Sequence, residues 1–207
     1  MDTANPILRR LYTMEGGAEE CRSIYREWAQ AYDRDTVGGM GYVAPALAAG
    51  TLAPLLSPGA EVLDAGCGTG LAGAELARLG VATIDGIDIS SEMRAEAAAK
   101  GIYRNLDEGD LTQPLTITND SYDGVICVGV FTNGHVGPAA IAELVRVAKP
   151  GAPVVFTVHE QAWDAEDYAE RIADLSASGA ARTAQITEAP YHTKEGFNCR
   201  LCVLEAI

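Results

Sequence analysis

The chain has 207 residues, 48% of them hydrophobic, which is enough for one well-buried core and too few for two ordinary catalytic domains. Its formal net charge of -14 repels phosphate backbones, so no nucleic-acid partner is expected; small molecules or proteins are the expected substrates. The longest apolar stretch, 43–56, is broken by Pro45, Gly50, Thr51 and Pro54 and falls short of the roughly 20 apolar residues of a membrane span, and Arg9 and Arg10 are followed by no apolar signal segment, so a cytosolic protein with no membrane partner is expected.

In chain order, Cys21, Ile24, Tyr25, Trp28 and Tyr32 fall on one face of a helix expected over 19–31. That aromatic face reads in two ways, as rings packing on a sheet or as a lid over a ligand. Residues 1–56 are taken as an N-terminal helical lid segment and 57–207 as the core of a single domain. From residue 60 onward short apolar runs alternate with helix-period segments, the pattern of an α/β sheet with helices on both faces. Seven strands are expected, at 61–65, 82–87, around 102–106, and at 123–128, 153–158, 182–188 and 198–204. Between them Ile141, Leu144, Val145 and Ala148 mark an amphipathic helix that Pro150 and Gly151 terminate, and Tyr168, Ile172 and Leu175 repeat the spacing. The five cysteines are odd in number and scattered, so they are read as reduced thiols; in strand geometry Cys199 and Cys202 point to opposite faces, which argues against a metal or redox pair.

The run EVLDAGCGTGLAG (61–73) places a strand, a glycine-rich turn and a helix in succession. Gly68, Gly70 and Gly73 satisfy the dinucleotide spacing that puts a pyrophosphate on a helix N-terminus. That register would require the strand to carry Asp64 and Gly66, whereas a turn opening at Asp64 leaves the strand clean. A carboxylate there repels pyrophosphate and suits a cofactor with an ammonium and a sulfonium. Asp88, 24 residues further on, is placed to accept from both hydroxyls of a ribose, although Asp-Ile-Ser-Ser-Glu is also a helix-capping sequence with Ser90 or Ser91 as the cap.

With the motifs LDAGCGTG, GIDISSEM, GDLTQPL, YDGVICVGV and RVAKPGA in this order, the sequence resembles the class I S-adenosylmethionine-dependent methyltransferases. YREWAQAYD, GYVAP and GVFTNGH resemble the Williams-Beuren-region methyltransferase-like subgroup. The resemblance covers about residues 20 to 160 and implies a Rossmann-like doubly wound sheet with S-adenosylmethionine as cofactor and S-adenosylhomocysteine as product. By matching position it implies that Gly66 and Gly68 line the methionine part, with Asp64 nearby, that Asp88 takes the ribose, and that Ile89 and Met93 flank the adenine. Asp110 would bond the adenine amino group, Leu111 would donate its N–H to the ring, Val128 and Gly129 would offer backbone groups to the methionine moiety, and Tyr25 and Tyr32 would close over that end.

His135, in TNGHV just beyond the fourth strand, is the candidate general base; anchoring the cofactor's carboxylate and fixing the loop are the competing readings. His159, at the end of the fifth strand, is expected to face the same pocket, and His192 to lie on the sheet's far connection. The fourth-strand region lacks the DPPY or NPPY pattern of amino-methylating nucleic-acid enzymes, and no compact cluster of histidine and carboxylate follows it, so a small acceptor and no metal are expected. A noncatalytic S-adenosylmethionine-binding protein and a NAD(P)-dependent oxidoreductase built on Gly68, Gly70 and Gly73 are the alternatives.

Overall fold

The computed structural model describes residues 17–132 and 136–207, with side chains described from Ser23 onward. Five parallel strands, β1 (Glu61–Ala65), β2 (Thr83–Asp88), β3 (Asn105–Glu108), β4 (Gly124–Phe131) and β5 (Pro153–His159), and a C-terminal hairpin, β6 (Ala181–His192) and β7 (Phe197–Ala206), form one sheet in the order β3-β2-β1-β4-β5-β7-β6. β7 is antiparallel to both β5 and β6. The chain runs outward from β1 to β3 and then returns to the other side of β1 with β4, which leaves a crevice beyond the carboxyl ends of these strands.

Val62, Leu63, Val125, Ile126, Val154, Val155 and Phe156 are fully buried because helices cover both faces of the parallel strands. On one face α5 (Ile141–Val147) and α7 (Tyr168–Ala177) set Ile141, Leu144, Tyr168 and Ile172 against Leu63, Val125 and Phe156. On the other, α2 (Ala44–Leu52) and α3 (Leu71–Arg78) set Ala48, Leu52, Ala72 and Leu76 against Val62, Ile84, Ile126 and Val155. Each large aliphatic side chain buried in this way stabilises the fold by about 1.5 to 3 kcal/mol. Cys199 and Cys202 pack in separate clusters, Cys199 beside Tyr42 and Tyr191 and Cys202 beside Phe156 and Leu204, as strand alternation requires.

The strand boundaries differ from expectation for local reasons. β3 starts at Asn105, three residues late, because Tyr103 is turned inward onto Asp64 and Arg104 N–H already donates to the Ile84 carbonyl. β6 and β7 are longer than expected because antiparallel pairing continues to the hairpin turn, whatever the side-chain pattern of the exposed edge strand. The helix over 19–31 is α1 (Gly17–Asp33), followed by a π-helical turn, Arg34–Met40. Its rings do not pack on the sheet: Ile24 and Trp28 form a small cluster with Met40, and α1 rests on α4 (Ser91–Ala99). Among the described residues no helix is long and apolar enough to cross a membrane, and no three metal-ligating side chains cluster.

Candidate functional site

The glycine loop is pinned from below. Gly66 and Cys67 donate their N–H groups to the Ile87 carbonyl at 2.8 and 2.9 Å, and Gly70 N–H closes a turn onto Cys67 at 2.8 Å. Asp64 lies inside β1, paired with Gly86 and Ile126, and is 1% exposed. The strand therefore does carry the buried charge that was expected to lie in the turn. It is tolerated because Asp64 Oδ2 accepts from Gly73 N–H at 3.1 Å and from the Tyr103 hydroxyl at 2.6 Å.

Gly73 is the third residue of α3, and the residue at the helix's N-cap, Gly70, has no side chain to offer. The Asp64 carboxylate thus caps α3 from the neighbouring strand and meets the positive end of its dipole. Only glycine fits at position 73, since a Cβ there would come within 2.2 Å of the Tyr103 hydroxyl oxygen. Burial raises the Asp64 pKa from 3.8 to about 7 against the pull of these two hydrogen bonds, and the Asp88 carboxylate adds to the rise.

Asp88, at the end of β2, accepts from Gly68 N–H through Oδ2 and from Ser90 N–H through Oδ1, each at 2.8 Å. Burial raises its pKa despite these bonds and the nearby Arg94. Each oxygen keeps a lone pair for a further donor. Ser90 is the cap of α4, accepting from Met93 N–H at 3.3 Å, so the carboxylate and the cap share one short turn. In the loop after β3, Asp110 Oδ1 accepts from Thr112 N–H at 2.9 Å and from the Thr112 hydroxyl at 2.6 Å, an Asx turn that brings Leu111 to the same crevice.

The pairing of β4 with β5 shifts between Cys127 and Phe131, and the strand bulges there. Gly129, at φ +81°, turns its N–H to Thr157 Oγ1 at 3.2 Å. A Cβ at this position would stand 2.5 Å from the Tyr42 hydroxyl oxygen, so the phenol lies directly over the bulge. From the N-terminal side α1 contributes Tyr25 and Tyr32, with ring centroids 6.2 Å apart; Trp28 packs edge-on to Tyr32 at 4.7 Å and donates to Asp35 at 3.0 Å. The end of α1 is fastened to the glycine loop: Asp33 accepts from the Thr69 hydroxyl at 2.5 Å and from Lys100 Nζ at 2.7 Å.

These elements enclose a cleft of about 1050 Å³, counting its open mouth. Tyr25, Tyr32, Asp64, Gly66, Gly68 and Asp88 all line it, as do Ile89, Met93, Asp110, Leu111, Val128 and Gly129, so all twelve residues singled out from the sequence as cofactor-binding meet there. His135 lies outside the described residues. His159 does not face the cleft: it is 1% exposed, packs on Tyr191 and Phe197, and accepts from Gln161 N–H through Nδ1 at the start of α6 (Glu160–Ala165). His192 ends β6, buried beside Tyr42 and Tyr191. Burial lowers the pKa of both histidines to about 4, and both are neutral at physiological pH. Sequence reasoning missed Tyr42, Pro45 and Thr69 in the cleft wall and Tyr103 behind it. GYVAP was noticed only as part of a resemblance, and nothing in the sequence around Tyr103 signals a partner 39 residues away.

A methyltransferase-domain family matches residues 62–151. Human methyltransferase-like protein 27 is 41% identical over 139 residues, which is 65% of this chain and 56% of that protein. Demethylmenaquinone methyltransferase from Tropheryma whipplei is 32% identical over 143 residues, 66% of this chain and 57% of that protein. The chain therefore spans a little over half the length of these curated relatives. A chain from the Haloferax volcanii complex of the Trm112 methyltransferase activator with a methyltransferase shares the fold, with a TM-score of 0.69 at 22% identity, covering 88% of this chain and 97% of that one. The domain match takes in β1 to β4 and the loops between them, and over these residues the chain is similar to the methyltransferases.

Proposed function

We propose that this chain transfers a methyl group from S-adenosylmethionine to a small-molecule acceptor by direct in-line displacement, leaving S-adenosylhomocysteine. The observation that carries the reading is the convergence of all twelve expected residues on one cleft at the carboxyl ends of β1, β2 and β4. The donor set fits the cofactor. Asp88 has lone pairs left for the ribose hydroxyls, Asp110 and the Leu111 N–H suit the adenine edge, and Ile89 and Met93 suit its faces. Gly66, Gly68, Val128 and Gly129 present backbone to the methionine part, where Asp64 supplies negative charge.

S-adenosylmethionine, when bound, supplies an already activated methyl group, so the protein's tasks are alignment, exclusion of water and removal of any released proton. Tyr25 and Tyr32 roof the cleft against water, and the fastening of Asp33 to Thr69 and Lys100 holds that roof on the loop. His135 is the proposed proton acceptor. A relative that acts on demethylmenaquinone supports a small acceptor. A cytosolic setting belongs to the same proposal, supported by four free, buried cysteines.

Isothermal titration with S-adenosylhomocysteine and with NADH tests the cofactor; tight NADH binding without S-adenosylhomocysteine binding overturns the reading. A screen of thiol, amine, carboxylate and hydroxyl acceptors with labelled S-adenosylmethionine then tests the reaction. Binding with no acceptor methylated would instead favour a cofactor-sensing protein.

A further inference from the structure

We infer that the lobe of the cleft beyond Gly129 is the acceptor site, that it takes an uncharged, flat, apolar molecule bearing a hydroxyl, and that the Tyr42 phenol is its polar handle. This rests on the methyltransferase reading of the same cleft. Beside Tyr25 and Tyr32, which close over the methionine end of the cofactor, the cleft lining includes Tyr42, Pro45, Val130 and Val136. All are aromatic or aliphatic, and the only polar atoms on their side chains are phenol hydroxyls.

Charge narrows the class. No lysine, arginine or histidine is found among the described residues lining the cleft, while Asp64, Asp88 and Asp110 are all there. Behind the lobe His159 and His192 are neutral at physiological pH and supply no positive charge. An acceptor carrying a carboxylate or phosphate would be desolvated beside aspartates with no cationic side chain among the described lining residues to receive it, at a loss of affinity.

Tyr42 is held for this task by its backbone. Its N–H donates to the Thr36 carbonyl at 3.0 Å, Val43 N–H donates to the Tyr191 carbonyl at 3.1 Å, and Tyr42 bridges to His192 at the end of β6. Its ring packs edge-on to Tyr191 with centroids 5.0 Å apart. Among the described residues the hydroxyl makes one long contact, 3.5 Å to the Tyr191 hydroxyl, too long for a strong O–H···O bond, and it sits over Gly129 where methionine and acceptor ends meet. Burial keeps the phenol protonated, so it remains a donor to an acceptor oxygen.

The test uses β-naphthol and its carboxylated counterpart hydroxynaphthoate as probes, titrated by calorimetry into the full chain saturated with S-adenosylhomocysteine, in wild type and Tyr42→Phe. The expected result is that β-naphthol binds the loaded wild type and hydroxynaphthoate binds at least about tenfold more weakly. Tyr42→Phe, which keeps the ring and its packing, should weaken β-naphthol by about fivefold while leaving the affinity for S-adenosylhomocysteine unchanged. Hydroxynaphthoate binding as tightly as β-naphthol, or no β-naphthol binding to the loaded protein, overturns the acceptor class. Equal β-naphthol affinity in both proteins overturns the role of Tyr42. Failure of the wild type to bind S-adenosylhomocysteine is a separate outcome and removes the underlying reading instead.

Discussion

Asp64→Asn removes a buried charge while keeping an oxygen that can accept from both Gly73 N–H and the Tyr103 hydroxyl. The folded protein holds the Asp64 pKa at about 7, against 3.8 ordinarily, so the native state keeps a proton that the unfolded chain releases between those values. The stability linked to this group is fully present below the ordinary pKa and is lost as pH rises through 7, a fall of about 4 kcal/mol at about 1.4 kcal/mol per unit. Other groups cut across this trend. His159 and His192, with pKa values lowered to about 4, add stability as pH rises toward the ordinary 6.5, and Asp88 shares the sign of Asp64. The difference between wild type and variant isolates Asp64. Urea unfolding of both proteins without ligand should show the variant gaining on wild type by about 3 kcal/mol between about pH 5 and about pH 8. In the same pH range the variant should bind S-adenosylmethionine more weakly, because it offers no charge to the ammonium or the sulfonium. A stability difference that stays constant across the pH range would refute the argument.

Asp88→Ala should weaken S-adenosylhomocysteine binding by about 1 to 3 kcal/mol in calorimetry; because it also strands the Gly68 and Ser90 N–H groups, thermal unfolding should show a stability loss of similar size, more than expected for a residue that only binds ligand. Gly73→Ala should cost about 1 to 3 kcal/mol in urea unfolding, since the added methyl must push the Tyr103 phenol away from Asp64. Lys100→Ala removes a partly exposed partner of Asp33 and should change global stability by less than about 1 kcal/mol, yet hydrogen exchange in α1 should quicken because the helix loses part of its fastening to the glycine loop. His135→Ala should lower turnover sharply at constant cofactor affinity if the residue takes the acceptor's proton; weaker S-adenosylhomocysteine binding as the first effect would place it on the cofactor's carboxylate instead.

The sheet was legible because its strands are short apolar runs whose ends are marked by Gly, Pro and Asp. β1 and α5 were read within a residue or two for that reason. The bulge in β4 was not, because nothing in VGVF distinguishes a strand that continues from one that bends, and the strand runs three residues past its expected end. The cofactor half of the cleft was legible because its residues sit at fixed offsets within local strand–turn–helix units. Tyr42, Tyr103 and Asp33 were not, since each acts on residues 36 or more positions away, through a fold that no local pattern encodes. His159 failed the other way: its position at the end of β5 is right for the pocket, but pairing with β7 and the aromatic packing of Tyr191 and Phe197 enclose it.

Asp64 shows why the glycine spacing alone was ambiguous. A glycine turn leading into a helix leaves backbone N–H groups with no partner and a positive dipole end, which together attract an anion. In a dinucleotide site the ligand's pyrophosphate answers that demand. Here the demand is met from inside the protein, by a carboxylate on β1 that reaches the N–H of Gly73 in the first turn of α3. A bound pyrophosphate would have to share this helix end with a carboxylate, in a cleft lined by two further aspartates. The same geometry favours a cation, because burial holds the Asp64 pKa up and a neighbouring positive group draws the carboxyl into its ionised form. Discrimination between the two cofactors therefore lies in which group caps α3, and the glycines, which both chemistries need, do not decide it.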